Sequence, residues 1–212
     1  MGFILSGIDQ ITDSIRGELD VLDEVREQAF RLSREIIRSS SVTIKHMHRA
    51  EIDLARRQLS ATADLVRQMQ EAVARAPQIG GGGFVGDAEK EYVEAALVIA
   101  CISGETLVSH QDLGVSGAVW LNGLAEVVGE LRRHVLDLIR LGDPERAEQY
   151  LTAMDDIYQT IVAFDYPDAI SLGLRRRADA ARGMVERTRG DLTNALRQAS
   201  LERRLAEFEK RL

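Results

Sequence analysis

Apolar residues recur at three- and four-residue steps along the first quarter of the chain: Ile8, Ile11, Ile15, Leu19, Leu22, Val25, Ala29, Leu32, Ile36 and Ile37, continued by Val42, Ile44 and Met47. This period is helical. It predicts one long N-terminal helix from Ile8 to His48, with a weak point at Ser39-Ser40-Ser41. At 1.5 Å per residue such a rod is about 60 Å long. A compact domain of this size is narrower than that, so the end of the rod is expected to pack on another subunit. A second helix is predicted from Glu51 to Ala76 on Ile52, Leu54, Leu59, Leu65, Val66, Met69 and Val73, closed by Pro77. Residues 77–86 contain four consecutive glycines and read as a flexible connection. Neither a preceding strand nor a following Gly-Lys-Ser/Thr supports a phosphate loop there. Asp87 is the predicted N-cap of a third helix reaching Val108, and Ser116 that of a fourth, Gly117 to Leu141. The short connection Gln111 to Gly114 predicts that these two lie antiparallel and adjacent. Asp143-Pro144-Glu145 has the order N-cap, N1 proline, first-turn acid and opens a fifth helix running to Phe164. Tyr166-Pro167 marks a break. A last helical region follows from Asp168, with a further break near Gly190. No stretch alternates with period two. The expectation is a single all-α domain over residues 1–212, a bundle of six to seven helices.

Composition agrees with this reading. Only three prolines are present, and Ala, Leu, Glu and Arg dominate, which favours helix. The balance of 45% hydrophobic and 29% charged residues is that of a globular chain, not a disordered one. A net charge of −7 argues against nucleic acid wrapping the whole surface. It leaves room for a local basic groove, or for a site where metal ions offset acidic ligands. The C-terminal part of the first helix offers such a groove, with Arg34, Arg38, Lys45, His48 and Arg49 as candidate phosphate contacts. The longest apolar run, Ala95 to Ile102, is too short to cross a membrane. The start lacks the basic segment of a signal peptide; Met1-Gly2 with Ser6 matches the loose myristoylation pattern, which short sequences often match by chance. Cys101 is the sole cysteine, so no intrachain disulfide forms, in keeping with a reducing, cytoplasmic setting. Its neighbours Ala100 and Ile102 mark it as a small buried side chain rather than a nucleophile.

The chemistry concentrates on the third and fourth helices. Glu91 and Glu94 are three residues apart, and Glu126 and Glu130 four apart, so each pair shares one side of its helix. Most neighbours are Ala, Val, Leu, Ile or Gly. An ionised carboxylate in such surroundings is costly unless it is paired or binds a metal. Taken singly, each glutamate has an ordinary structural explanation, such as a first-turn acid at Glu91 or a Glu130–Arg133 pair. Taken together, two facing pairs form an all-oxygen set of nominal charge −4, suited to Mg²⁺ or Mn²⁺. A di-iron oxidoreductase would need Glu-x-x-His on two helices. Leu97 and Arg133 stand where those histidines belong; His134 follows Glu130 by four residues, with no counterpart after the first pair. Glu105, eleven residues after Glu94, returns to nearly the same face and is a reserve candidate.

Several segments resemble one known family. Lys90-Glu91-Tyr92-Val93-Glu94-Ala95 resembles the Gln-Glu-Tyr-Val-Glu-Ala of the translin-associated factor X branch of the translin family. Leu121 to Leu131 resembles its Leu-Leu-Gly-Val-Ala-Asp-Leu-Thr-Gly-Glu-Leu. Leu32-Ser33-Arg34-Glu35-Ile36 and Thr43-Ile44-Lys45-His46-Met47-His48-Arg49 resemble its Leu-Ser-Arg-Asp-Ile and Thr-Ile-Phe-Leu-Leu-His-Arg. The similarity runs from about residue 24 to 197. The resemblance implies a seven-helix translin-like fold and a hollow homo-oligomer, often of eight subunits. It also implies binding of single-stranded RNA or DNA. In the factor X branch it further implies a metal-dependent endoribonuclease whose acids face the interior cavity. Those acids fall on Glu91, Glu94, Glu126 and Glu130, with Glu126 replacing the branch's Asp. The chain lacks the long basic N-terminal segment of some members and resembles the shorter, self-assembling type found in archaea. The implied reaction is hydrolysis of single-stranded RNA. Glu91, Glu94 and Glu126 would hold one or two Mg²⁺ or Mn²⁺ ions, and Glu130 would be a further ligand or the general base. The alternatives are a non-catalytic single-stranded RNA- or DNA-binding scaffold and the di-metal oxidoreductase.

Overall fold

The structure, a computed structural model, describes residues 7–210; the Met1-Gly2/Ser6 pattern lies outside them. The described residues form seven α-helices and one 3-10 turn, with no strand among them. Helix α1 (Ile8–His48) is continuous through the three serines. Ser39 and Ser40 are buried, and Ser39 Oγ shares hydrogen bonds with Thr62 Oγ1 (2.6 Å) and Gln58 Nε2 (2.7 Å) of α2 (Ile52–Ala74). The expected weak point is therefore a polar seam between two helices. Between them Ala50 takes φ 59°, and the Glu51 N–H donates back to the His46 carbonyl (2.9 Å), closing the end of α1.

The glycine run is built differently from the expected open connection. Pro77–Gly81 forms the 3-10 turn, and α3 (Gly83–Ser103) starts one turn before Asp87. Proline at the first position presets the turn, and Gly82, extended at φ −69° and ψ 128°, caps the helix. At its other end α3 stops at Ser103 rather than Val108. Gly104 adopts φ +69°, and the Glu105 N–H bonds the Ala100 carbonyl at 2.9 Å.

This early stop decides the direction of α4 (Gly117–Arg140). Residues 104–116 run back along α3. The Gln70 amide bonds both Glu89 Oε1 (2.8 Å) and the Gly114 carbonyl (2.9 Å), which fixes the end of the connection beside the first half of α3. Helix α4 then runs alongside α3 in the same sense: Gly123 meets Lys90 and Val93, and Glu126 faces Lys90. The antiparallel expectation is corrected accordingly. Ser116 caps α4 by accepting from the Val119 N–H, and Asp143 caps α5 (Pro144–Val162) by accepting from the Arg146 N–H. A short α6 (Asp168–Ser171) follows Pro167, and α7 (Leu174–Glu209) passes Gly190 without a break.

Helix α1 packs on α2 and α3; α4 packs on α3, α5 and α7. One apolar cluster, including Ile36, Val66, Met69 and Tyr92, fills the α1–α2–α3 layer; a larger one, including Leu97, Leu131, Met154 and Leu192, fills the rest. Helix α3 is the wall between them. Tyr92 through Ala100 are all buried, which is why this helix is apolar on every side. The ends of α1 and α7 lie outside both clusters. Ile8, Ile11, Ile15 and Leu19 are 43–61% exposed, as are Leu201, Leu205 and Phe208 at 54–62%. Among the described residues no helix is long and apolar enough to cross a membrane.

Candidate functional site

The contact between α3 and α4 is unusually close at Gly123. A Cβ there would stand 2.5 Å from Val93 Cγ1 and 3.1 Å from the Lys90 carbonyl. This approach brings the two glutamate pairs together. Glu94 is buried, 8% exposed, and its side chain has no hydrogen-bond or ion-pair partner among the described residues. Burial, then the carboxylates of Glu91, Glu130 and Glu126, push its carboxyl up to about 8 from the usual 4.5. All four sequence candidates thus share one electrostatic neighbourhood.

The other three carboxylates have partners. Lys90 Nζ lies 3.1 Å from Glu91 Oε1 and 3.3 Å from Glu126 Oε1. Burial works to lower the Lys90 pKa, but Glu126 and Glu91 outweigh it and hold the ammonium above its ordinary value. Arg177 Nε of α7 donates to Glu126 at 3.0 Å and its Nη1 to Asn122 Oδ1 at 2.9 Å. Glu130 Oε2 meets His48 Nε2 at 2.5 Å, with Arg133 at 3.9 Å. As they stand, no three His, Cys, Asp or Glu side chains among the described residues converge on one ion position. The donor set still fits a hard divalent ion in its chemistry, because Glu94 is a buried carboxylate with no direct partner among the described residues, beside three others. In the arrangement shown, the protein's own basic groups sit on the other three carboxylates.

The structure separates His48 from the basic groove. Its side chain is 3% exposed and sits against Glu130, so it is not a surface phosphate contact. His48 follows the buried Ile44 by four residues, and that spacing was the signal for an inward position. Arg34, Arg38 and Lys45 do line one open groove on α1, with Ile37, Ser41 and Val42, and Arg49 is exposed one turn beyond Lys45. Glu105 does not join the carboxylates; the helix ends before it and it pairs with Arg56. His134 turns its ring edge-on to Tyr150, with centroids 4.6 Å apart, so no Glu-x-x-His arrangement forms. Burial, then His48, lowers its pKa. Cys101 is held as a thiol by burial, its pKa pushed up to about 11. Tyr92 packs in the α1–α2–α3 core, and Phe84 stands edge-on to Phe30 at 5.5 Å. Lys90, Asn122 and Arg177 were not among the sequence candidates. Lys90 had a local signal, since it precedes Glu91 and lies one turn from Glu94; the other two are legible only in three dimensions.

No protein-family model matches the chain. It is 29% identical over 189 residues to an uncharacterised protein of Methanocaldococcus jannaschii, covering 88% of this chain and 83% of that protein. The crystal structure of AfC3PO matches with a TM-score of 0.79 at 34% identity, over 87% of this chain and 96% of that one. AfC3PO in complex with duplex RNA matches with a TM-score of 0.76 at the same identity, over 87% and 95% of the two chains. Apo-NeC3PO, at 20% identity, shares the fold, with a TM-score of 0.78 over 92% of this chain and 100% of that one.

Proposed function

The chain belongs to the translin/C3PO family, and from that premise we propose that it binds RNA and cleaves it as a Mg²⁺- or Mn²⁺-dependent endoribonuclease within a homo-oligomer. The observation that carries the proposal is Glu94: a buried carboxylate with no hydrogen-bond or ion-pair partner among the described residues, facing Glu91, Glu126 and Glu130. RNA as the ligand is supported by the complex of AfC3PO with duplex RNA. Assembly into a homo-oligomer is supported by the exposed apolar rows at the ends of α1 and α7.

Glu91, Glu94 and Glu126 would hold the ion or ions. A bound ion would supply positive charge against the scissile phosphate and activate the attacking water. The chain's own residues do the rest. The 2.5 Å hydrogen bond between Glu130 Oε2 and His48 Nε2 fixes the orientation of Glu130, placing a base beside the carboxylates. Arg177, tied to Asn122, holds Glu126 in place. The groove of Arg34, Arg38 and Lys45 draws in the phosphate backbone without reading sequence. Replacing Arg38 with alanine is expected to weaken RNA binding equally across sequences and to lower the slope of log affinity against log salt by about one. Filter binding over a salt series measures this.

A second reading is a non-catalytic RNA-binding scaffold, favoured by Lys90, Arg177 and His48 already sitting on three of the four carboxylates. The deciding experiment incubates labelled single-stranded and duplex RNA with the protein in Mg²⁺, Mn²⁺ or EDTA. The nuclease reading expects internal cuts in single-stranded RNA that require the ion. RNA that is shifted but never cut under any condition selects the scaffold.

A further inference from the structure

Lys90 and Arg177 both reach Glu126, but they are held differently. The Arg177 guanidinium is also anchored by neutral acceptors, Asn122 Oδ1 at 2.9 Å and the Leu172 carbonyl at 3.1 Å. The Lys90 ammonium touches only carboxylates, Glu91 on its own helix and Glu126 on α4, and its side chain is 13% exposed. Arg177 is a fixed part of the frame, whereas Lys90 is a counter-ion. Beside both opens a cavity of about 440 Å³ walled by the backbone of residues 80–83 and by Val119 and Leu172. The four consecutive glycines present only backbone to it. The flexible stem of Lys90 lines the same cavity, so the ammonium has room to leave the carboxylates without entering the core.

Resting on the nuclease reading above, we infer that Lys90 occupies the place of a divalent ion between Glu91 and Glu126, and that ion binding requires its ammonium to withdraw toward the glycine-walled cavity. Two cations at hydrogen-bonding distance from the same two carboxylates repel each other strongly at a half-buried site. Lysine and ion therefore compete for one position. Glu94, buried and without a direct partner among the described residues, supplies a donor that Lys90 does not contact and an incoming ion can gain. In the ion-free protein Lys90 keeps four neighbouring carboxylates from repelling one another across the α3–α4 contact, so the fold does not depend on the ion.

The test is Mn²⁺ binding by the full-length chain, measured by titration calorimetry and by electron paramagnetic resonance of free Mn²⁺, for wild type, K90Q and K90R. Removing the charge in K90Q is expected to tighten binding about tenfold or more. K90R, which keeps the charge, is expected to stay close to wild type. In EDTA, K90Q is expected to melt below wild type and to gain more from added Mn²⁺. A K90Q protein that folds only with Mn²⁺ present would support the inference in the same way. Equal affinity in wild type and K90Q overturns it and leaves the nuclease reading standing. If none of the three binds Mn²⁺, both fall together.

Discussion

Glu94→Gln is expected to slow RNA cleavage on the order of 100-fold and, in the absence of divalent ions, to make the protein more stable at alkaline pH. The two effects share one cause. Glu94 is the buried member of the set, and its carboxyl is pushed up to about 8 by burial and by its three acidic neighbours. In the unfolded chain the same carboxyl titrates near 4.5. Between these values the folded state binds more protons than the unfolded one, so stability falls as pH rises from about 4.5 to about 8 and stays reduced above that. Glutamine keeps the shape and removes the charge. The variant is therefore expected to match wild type near pH 4 and to exceed it by a few kcal/mol at pH 9. Thermal melts in EDTA across this range, beside cleavage assays in Mn²⁺, measure both. Normal cleavage by the variant would remove Glu94 from the site. A wild-type melting temperature that did not fall relative to the variant's between pH 5 and pH 9 would contradict the burial of an uncompensated charge.

Gly123→Ala is expected to destabilise the fold by about 2 kcal/mol, with a matching fall in the urea midpoint and no change in its slope. The sign is informative. In an exposed helix interior alanine is favoured over glycine by about 1 kcal/mol, so propensity alone predicts the opposite. At position 123 the new methyl would stand 2.8 Å from Val93 Cβ, a branch point on the helix itself, as well as 3.1 Å from the Lys90 carbonyl. No rotamer change relieves both contacts, so α4 must move off α3. Glu126 and Glu130 move with it, and cleavage is expected to fall further than stability accounts for. Gly129, on the same helix, is the control. Its Cβ would meet only Met184 Sδ at 3.6 Å, so Gly129→Ala is expected to be neutral or slightly stabilising.

Much of the helical layout was legible because its signals are local. Ser116 and Asp143 cap where their spacing to the next apolar positions placed them, and Pro167 breaks the chain as a proline must. The glutamate pairs were legible for the same reason, since three- and four-residue spacings fix one side of a helix. The direction of α4 was not. It hinges on Gly104 ending α3 ahead of Leu107-Val108, which carry on the apolar pattern without being helical. Five residues released from the helix turn a short hairpin into a long return path. The site's cations were hidden more deeply. Arg177 is one of several arginines at the start of α7, and only the packing of α7 on α4 selects it. His48 stands in a basic run, although its spacing from Ile44 belongs to the buried face.

The exposed end of α1 has its own consequence. Residues from Val25 to Met47 are ordered by what they touch, whereas Ile8 to Leu19 extend the same hydrogen-bonded rod with their apolar side chains in water. Elongating an existing helix costs far less than nucleating one, so the packed segment acts as a template that shapes the overhang in advance. A surface that covers Ile8, Ile11, Ile15 and Leu19 meets a row whose backbone is already in place. Most of the ordering entropy that weakens association of flexible segments is removed before contact. The overhang is thus a preorganised adhesive edge, its strength set by the stability of a core that begins only at Val25.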